Sequence, residues 1–312
     1  MNITSRQLRT FEAVARLGSF SRAARELHVS QPTVSQQVKQ IADAVGMPLL
    51  DQGGRAVVPT DAGLIVGEAA REVSRAMEAL QTSLAELKGL KQGRLKVSVV
   101  TTAKYFVPRL LGPFMQRHPD IDVALEVGNR AEIVNRLSRN EDDLYIMGMP
   151  PRGMDIVRVP FADNPIVAIA PVDHPLAGKR HVPLAQLALH PFILREDGSG
   201  TRMACERFLK DQRLKLRIRM ELGSNEAIKQ AVAGGLGLSL LSLHALIAEA
   251  NRGELAVLDV RHLPIRRSWF IVHRANKHLS AVARAFFDYL QVEGIRLRRD
   301  LEAARLSVRH RS

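Results

Sequence analysis

One cysteine, ten scattered histidines and a shortage of acids (32 Asp and Glu against 45 Lys and Arg) are the scarcities of this 312-residue chain. Each removes a class of protein. A lone Cys205 cannot close an intrachain disulfide, which fits a reducing cytoplasm. It reads as a small helix residue packed near Phe208 rather than as a nucleophile. The histidines have no H-x-x-H or HExxH spacing and no serine sits in a G-x-S-x-G elbow. Neither a zinc site nor nucleophilic hydrolysis is therefore expected. No run approaches the ~20 apolar residues that a membrane helix needs, and the start MNITSRQLRTF lacks an export signal's apolar core. What remains, 46% hydrophobic and 25% charged, is a globular composition, long enough for two or three domains.

The deficit of acids leaves a net charge of +13, which favours an anionic partner. Its distribution does not locate that partner. Residues 1–65 hold seven Lys and Arg against five Asp and Glu, a difference of only +2. Arg202 to Arg219 is more basic, and so is the tail with Arg296, Arg298, Arg299, Arg305, Arg309 and Arg311. The tail is expected to be a solvated end with some nonspecific nucleic-acid affinity.

A motif locates the partner better. Leu8, Phe11, Val14 and Leu17 recur at helical spacing and predict a first helix. Ser21 is expected to cap a second, whose Ala23, Ala24 and Leu27 permit close packing. After a turn at His28-Val29-Ser30, a third helix opens with Ser30 as its cap and Pro32 in its first turn, where a missing N–H costs nothing. Val34, Val38, Ile41 and Val45 form its buried stripe. The opposite face shows Gln31, Thr33, Ser35, Gln36, Lys39 and Gln40, with no acid before Asp43. Amides and hydroxyls on such a face suit a helix in the major groove, in a helix-turn-helix followed by a small β wing.

The run LRTFEAVARLGSFSRAARELHVSQPTVSQQVKQIADAVGMPLL, followed by TDAG, resembles the LysR-type transcriptional regulators. The likeness extends over nearly the whole chain. Gln52 departs from it, since most of the family carries Arg before the wing, although Arg55 stands three residues later. The resemblance implies Gln31, Pro32, Ser35 and Gln36 at base edges, the proline through a thymine methyl, and Ser30, Thr33, Lys39 and Arg55 at phosphates.

From Thr60, as cap, a long helix is predicted. Val66, Val73, Leu80 and Leu87 repeat every seven residues, with Ala70, Met77 and Leu84 offset by four. Such a seam predicts a contact between two copies, with Val66, Val73, Met77, Leu80 and Leu84 as its dimerisation residues; packing on its own domain is the alternative. Paired chains would present two recognition helices to a pseudo-palindromic double-stranded DNA site. The helix is expected to end near Lys88-Gly89, with Lys91-Gln92-Gly93 as a hinge.

Beyond Gly93 short β-branched strands alternate with helices: RLKVSVV, IDVALEVG, DLYIMGM, IVAIAP, PFILR, RIRMELG, GLSLLS, LAVLDV and SWFIVH. The class is α/β, with open sheets and helices on both faces. The resemblance implies two subdomains like those of periplasmic binding proteins, joined by crossings placed near Ala162–Pro165 and Pro264–Ser268. The expected organisation is a winged helix-turn-helix over 1–60, a linker helix and hinge over 61–92, an effector domain over 93–295 and a basic tail over 296–312. Within the effector domain, subdomain I takes 93–162 and 268–295 and subdomain II takes 163–267.

Ligands of open α/β sheets bind beyond the carboxyl ends of strands. Three loops qualify. Thr101 and Thr102 follow the first strand of this region; Arg195-Glu196-Asp197-Gly198-Ser199-Gly200-Thr201-Arg202 combines glycines, hydroxyls and a guanidinium; and Gly223-Ser224-Asn225-Glu226 precedes a helix. Thr101, Thr102, Ser199, Gly200, Thr201, Arg202 and Asn225 are the candidate effector contacts, with Ser224 and Asn225 equally readable as helix caps. Glu141-Asp142-Asp143 reads as hydrated loop carboxylates rather than a metal site.

Over residues 94–290 the likeness narrows to the CbbR-type regulators of Calvin-cycle operons, through TTAKYFVPRLL, NEDDLYIMGMPP, LREDGSGTR and ELGSNEAIKQAVAGGLGLSLLSLH. It implies a phosphorylated sugar or nucleotide effector such as NADPH, ribulose bisphosphate or phosphoenolpyruvate. No bound cofactor and no metal are expected. The expectation is a cytoplasmic, non-enzymatic transcription factor acting as a homodimer or homotetramer on double-stranded DNA. Another operon with a carboxylate effector, or a cytoplasmic solute-binding α/β protein, are the alternatives.

Overall fold

A computed structural model describes residues 3–51, 57–87, 93–246 and 254–309. They form two compact units, residues 1–90 and 91–312.

The first unit opens with α1 (Ser5–Leu17), α2 (Phe20–Glu26) and α3 (Gln31–Val45). Their inward faces close one core from Phe11, Ala13, Val14, Ala23, Ala24, Val34, Val38, Ile41 and Leu49. The expected caps hold with one correction. Ser19, not Ser21, caps α2 by accepting from the Arg22 N–H, because the chain turns into helix two residues earlier. The Ser21 hydroxyl instead donates to Gln31 Oε1 at 3.1 Å, tying α2 to the start of α3.

The wing is a ladder of two short strands, β1 (Leu50–Asp51) and β2 (Val58–Pro59), paired antiparallel. Gln52 and Arg55 lie outside the described residues. Thr60 then caps α4 (Asp61–Leu87), accepting from the Gly63 N–H at 3.1 Å and donating to the Pro48 carbonyl at 2.7 Å. A Cβ at Gly63 would sit 2.0 Å from the Leu49 carbonyl oxygen, so the start of α4 can press against the wing only with glycine there.

Along α4 the predicted seam divides. Val66 packs on the core of its own domain and Ala70 is fully buried, so the first part of the stripe is an internal contact and Val66 is corrected from a dimer residue. Val73, Met77, Leu80 and Leu84 continue the stripe in the open, Leu80 being 52% exposed. The expected helix end near Lys88-Gly89 and the hinge residues Lys91 and Gln92 lie outside the described residues, while Gly93, expected in the hinge, already begins a strand.

The second unit contains two five-stranded sheets. β3 (Gly93–Val100), β4 (Ile121–Gly128), β5 (Leu144–Met147) and β6 (Ile156–Asp163) join the late strand β12 (Ser268–Arg274) in the order β4-β3-β5-β12-β6. Subdomain II has β7 (Ile166–Pro171), β8 (Pro191–Arg195), β9 (Arg217–Leu222), β10 (Leu238–Ser242) and β11 (Leu255–Val257), ordered β11-β7-β10-β8-β9. Helices α5 (Val107–Arg117), α6 (Arg130–Ser138), α7 (Leu184–Leu187), α8 (Gly200–Asp211), α9 (Asn225–Ala233) and α10 (Ala281–Arg309) fill the connections and the end.

Both sheets are mixed: β3 runs parallel to β4 and β5, and β12 is antiparallel to β5 and β6. The expected strand list lacks β6. Its Pro160 argues against a strand, yet β6 is an edge strand and the proline faces the point where the β12 register shifts, between Trp269 and Phe270. A missing N–H is tolerated at both kinds of position. The chain leaves the first sheet after β6, enters the second at β7 and returns to the first at β12. Asn164 N–H donates to the Arg267 carbonyl at 2.7 Å, and Ile166 and Ile265 exchange bonds of 3.0 and 2.9 Å, so the two crossing strands support one another.

Two further corrections concern charge. Asp142 is not hydrated: it is buried and accepts from both Arg136 nitrogens (2.9 and 2.8 Å) and from Ser98 (2.7 Å), locking α6 onto β3. The boundary expected at 295 falls inside α10, whose backbone is helical to Arg309 and whose Leu297 is still buried in the subdomain I core.

Candidate functional site

Two polar surfaces stand out, one in each unit. On α3, Ser30 accepts from the Thr33 N–H at 3.3 Å and its hydroxyl lies 2.8 Å from Thr33 Oγ1. Pro32 occupies the first turn, and Gln31, Pro32, Ser35, Gln36 and Lys39 are all exposed. Two amides of this face are partly engaged: Gln31 accepts from Ser21, and Gln40 accepts from Gln7 at 2.8 Å. Both still have N–H groups to offer. Ser35, Gln36 and Lys39 form no bond with any described residue, so the middle of the face is free for donors and acceptors from outside.

The second surface is a cleft between the two sheets. Its lining comes from the carboxyl ends of strands, as the strand-end rule requires. Val100 ends β3 and Thr101 and Thr102 follow it, Gly148 and Met149 follow β5, and Arg130 opens α6. Ser199, Gly200 and Thr201 form the start of α8, while Arg267 comes from the second crossing and Trp269 from the beginning of β12. The free space is about 300 Å³, counting its open mouth. Thr102, Ser199 and Thr201 are buried there. Ser199 caps α8, its Oγ accepting from the N–H of Thr201 (3.3 Å) and of Arg202 (3.5 Å).

Arg267, which the sequence reading did not select, dominates the electrostatics. Its Nη1 donates to the Gly200 carbonyl at 2.8 Å, while its Nε is sealed from solvent without a partner. No carboxylate among the described residues pairs with it. Burial pulls its guanidinium down to about 10, the direction expected when a cation is desolvated and not neutralised. The room it occupies depends on Gly148, where a Cβ would lie 2.3 Å from Arg267 Nη2 and 2.6 Å from Asn164 Nδ2. Nearby, Trp269 Nε1 and Asn164 Nδ2 are also buried without a partner among the described residues. Buried polar groups are normally satisfied, so this cluster of unmet donors marks a place built for acceptors that come from outside the chain. Arg130 adds a second guanidinium, its Nε fixed on the Met149 carbonyl at 2.7 Å and its pKa lowered by burial.

The fold brings Thr101, Thr102, Ser199, Gly200 and Thr201 together in this cleft and leaves two predicted contacts off its lining. Arg202 forks instead to Glu206 (2.8 Å) and Glu221 (2.7 Å), with the Glu221 bond the first cause of its raised pKa. It stands on the flank of α8 that faces β9 and its own next turn, so its charge is already met. Asn225 Oδ1 accepts from Arg195 Nη1 at 2.8 Å, while Arg195 Nη2 donates to Thr101 Oγ1 at 3.1 Å. Ser224 caps α9, which resolves the two roles left open for that pair. Glu206, four residues after Arg202, was a sequence signal for the ion pair. For Arg267 the only signal was its place at the crossing, beside Arg266.

Comparison with known proteins gives the same division of the chain. Residues 5–64 match the family model of the bacterial regulatory helix-turn-helix protein, lysR family, and residues 88–294 match the LysR substrate binding domain. The chain is 50% identical to the HTH-type transcriptional activator CmpR of Synechocystis sp. (strain ATCC 27184 / PCC 6803 / Kazusa), over 93% of this chain and 95% of that one. It is 48% identical to the RuBisCO operon transcriptional regulator of Acidithiobacillus ferrooxidans, over 92% and 93%. Among solved structures it resembles the Synechocystis PCC6803 CcmR regulatory domain in complex with 2-PG, with 51% identity and a TM-score of 0.63 over 64% of this chain and 97% of that one.

Proposed function

This chain belongs to the LysR family of bacterial transcriptional regulators, and from that premise we propose that it controls carbon-fixation genes in response to a small phosphorylated acid held in the cleft of residues 91–312. The observation that supports the ligand class is Arg267: a partly buried cation without a carboxylate, ringed by hydroxyls and sealed N–H donors. An incoming phosphate or carboxylate supplies both the missing charge and the missing acceptors. The relatives named for RuBisCO operons, and the related regulatory domain in complex with 2-PG (2-phosphoglycolate), support the target and the chemistry.

In this reading Ser30, Thr33, Lys39 and Arg55 grip phosphates and set register, while Gln31, Pro32, Ser35 and Gln36 read base edges in the major groove. Two chains joined along the open stripe Val73, Met77, Leu80 and Leu84 present two such helices to a pseudo-palindromic site, and pairs of dimers assemble in the cytoplasm as tetramers. Effector binding shifts subdomain closure, and with it the spacing of the DNA-binding heads, to the extent that the ligand prefers one closure over the other.

The test is calorimetry of the full chain with 2-phosphoglycolate, ribulose bisphosphate, NADPH and a plain dicarboxylate, paired with gel shifts on DNA upstream of a carbon-fixation operon. Arg267→Gln is expected to lower effector affinity by roughly tenfold to a hundredfold, as for a lost hydrogen bond to a charged group. Unchanged affinity in that variant would sink the assignment. Tighter binding of the dicarboxylate would move the effector from phosphorylated to plain acids.

A further inference from the structure

The turn that follows β3 carries Thr101 and Thr102 into the cleft, and subdomain II grips that same turn along its length. Thr101 receives Arg195, as above. Three residues on, Lys104 Nζ stands 3.0 Å from Glu226 Oε2, and the Tyr105 hydroxyl donates to Glu226 Oε1. The Tyr105 ring lies over the buried ammonium of Lys229, 5.0 Å from its centroid, and that ammonium also donates to the Ala245 carbonyl at 3.1 Å. At the end of the turn Phe106 packs against His244 with ring centroids 4.9 Å apart. Glu226 and Lys229 are one helical turn apart on α9, so a single face of α9 meets Tyr105 twice.

We infer that Glu226 is a positioning residue for the effector site: with Lys229 it latches the Thr101–Phe106 turn of subdomain I to α9 of subdomain II, and the strength of that latch sets effector affinity although neither side chain lines the cleft. The inference rests on reading the cleft as the effector site. The mechanism is economical in sequence. Thr101 and Tyr105 share one short turn, so releasing Tyr105 loosens the hydroxyls at Thr101 and Thr102 together with the Arg195 contact that bridges the same gap. An effector that needs those groups assembled then binds against the cost of ordering them. The carboxyl of Glu226 is burdened by burial, yet bonds from Tyr105 and Lys104 hold it down to about 2, so the latch stays charged over the physiological range. Glu226 also has a purely local use, since an acid in the first turn of α9 favours that helix and it accepts from Ser224 at 3.2 Å.

Full-length Tyr105→Phe and Glu226→Ala proteins separate the two uses. The readouts are calorimetric affinity for 2-phosphoglycolate and hydrogen exchange of amides 101–106 without ligand. Each variant is expected to bind roughly twofold to fivefold more weakly, the range of a single partly exposed polar contact, with faster exchange in the turn. The double variant should lose little more than the worse single one, because both remove the same contact. Tyr105→Phe leaves the α9 dipole untouched. Wild-type affinity and exchange in that variant, with faster exchange in Glu226→Ala confined to residues 224–230, would overturn the latch. If the wild-type chain binds neither 2-phosphoglycolate nor inorganic phosphate, the effector reading fails by itself, and the exchange of the turn still decides whether the latch exists.

Discussion

The recognition face of α3 and the cleft between the two sheets both present polar groups that the chain does not satisfy, and they differ in what surrounds those groups. On α3 the groups are exposed: Ser35, Gln36 and Lys39 lie open to solvent. In and beside the cleft the Nε of Arg267, Nε1 of Trp269 and Nδ2 of Asn164 are buried and have no partner among the described residues. A hydrated face exchanges one set of hydrogen bonds for another, so affinity for DNA comes largely from released counterions and discrimination from geometry. A sealed, unmet donor already bears its desolvation cost in the free protein, and a ligand removes it. Removing one group should therefore cost more in the cleft than on α3, and salt should act mainly on α3.

The most severe way to break that comparison is at α4, where exposure in one chain need not mean exposure in the assembly. Leu80→Asp puts a charge into the open stripe; if a second copy covers it, sedimentation should show loss of the dimer and gel shifts loss of tight operator binding, since an unpaired buried charge is strongly unfavourable. An unaltered oligomer would mean the stripe is solvated. Next in size, Gly148→Ala drives a methyl into the space of the Arg267 guanidinium, and effector affinity should fall by about a hundredfold while effector-free DNA binding persists. Retained affinity would show that the guanidinium can move aside, against the idea of a rigid sealed site.

On the exposed face the effects shrink. Gln31→Ala should cost ~1–3 kcal/mol at one operator position and little on random DNA; equal losses on both would remove it from base reading. Lys39→Ala should weaken all sequences alike and lower the salt slope by about one unit, read from binding isotherms at several salt concentrations. Smallest of all, Arg202→Ala should leave effector affinity nearly unchanged and lower stability by ~0.2–1 kcal/mol in chemical denaturation, as for a surface ion pair. A tenfold loss of effector affinity there would return Arg202 to the ligand.

How much of this was legible without coordinates differs between the two regions for a physical reason. The α3 face is local: caps, the first-turn proline and a 3.6-residue period are written within fifteen residues, and only the α2 cap slipped, by the two residues from Ser21 to Ser19. Strand edges in residues 91–312 were equally local, and β6 escaped because the tolerance of Pro160 depends on its being at a sheet edge opposite a register shift. The cleft is not local. Ser199 to Thr201 and Thr101 to Thr102 announced themselves as hydroxyl-bearing strand ends, but Arg202 looked a better anion ligand than Arg267 until Glu206 and Glu221 closed on it.

The amino-acid sequence alone thus determined the helix-turn-helix, its polar reading face, the alternation of strands and helices and the two crossings, because each depends on neighbours in the chain. Tertiary structure alone decided which arginine lines the cleft, where the α4 stripe passes from internal packing at Val66 and Ala70 to open surface at Val73, and which residues touch the Thr101–Phe106 turn. Those outcomes turn on whether a charge or an apolar side chain finds its partner inside the chain, and the partners (Glu221 for Arg202, Gly148 for Arg267, Glu226 for Tyr105) lie 19 to 121 residues away.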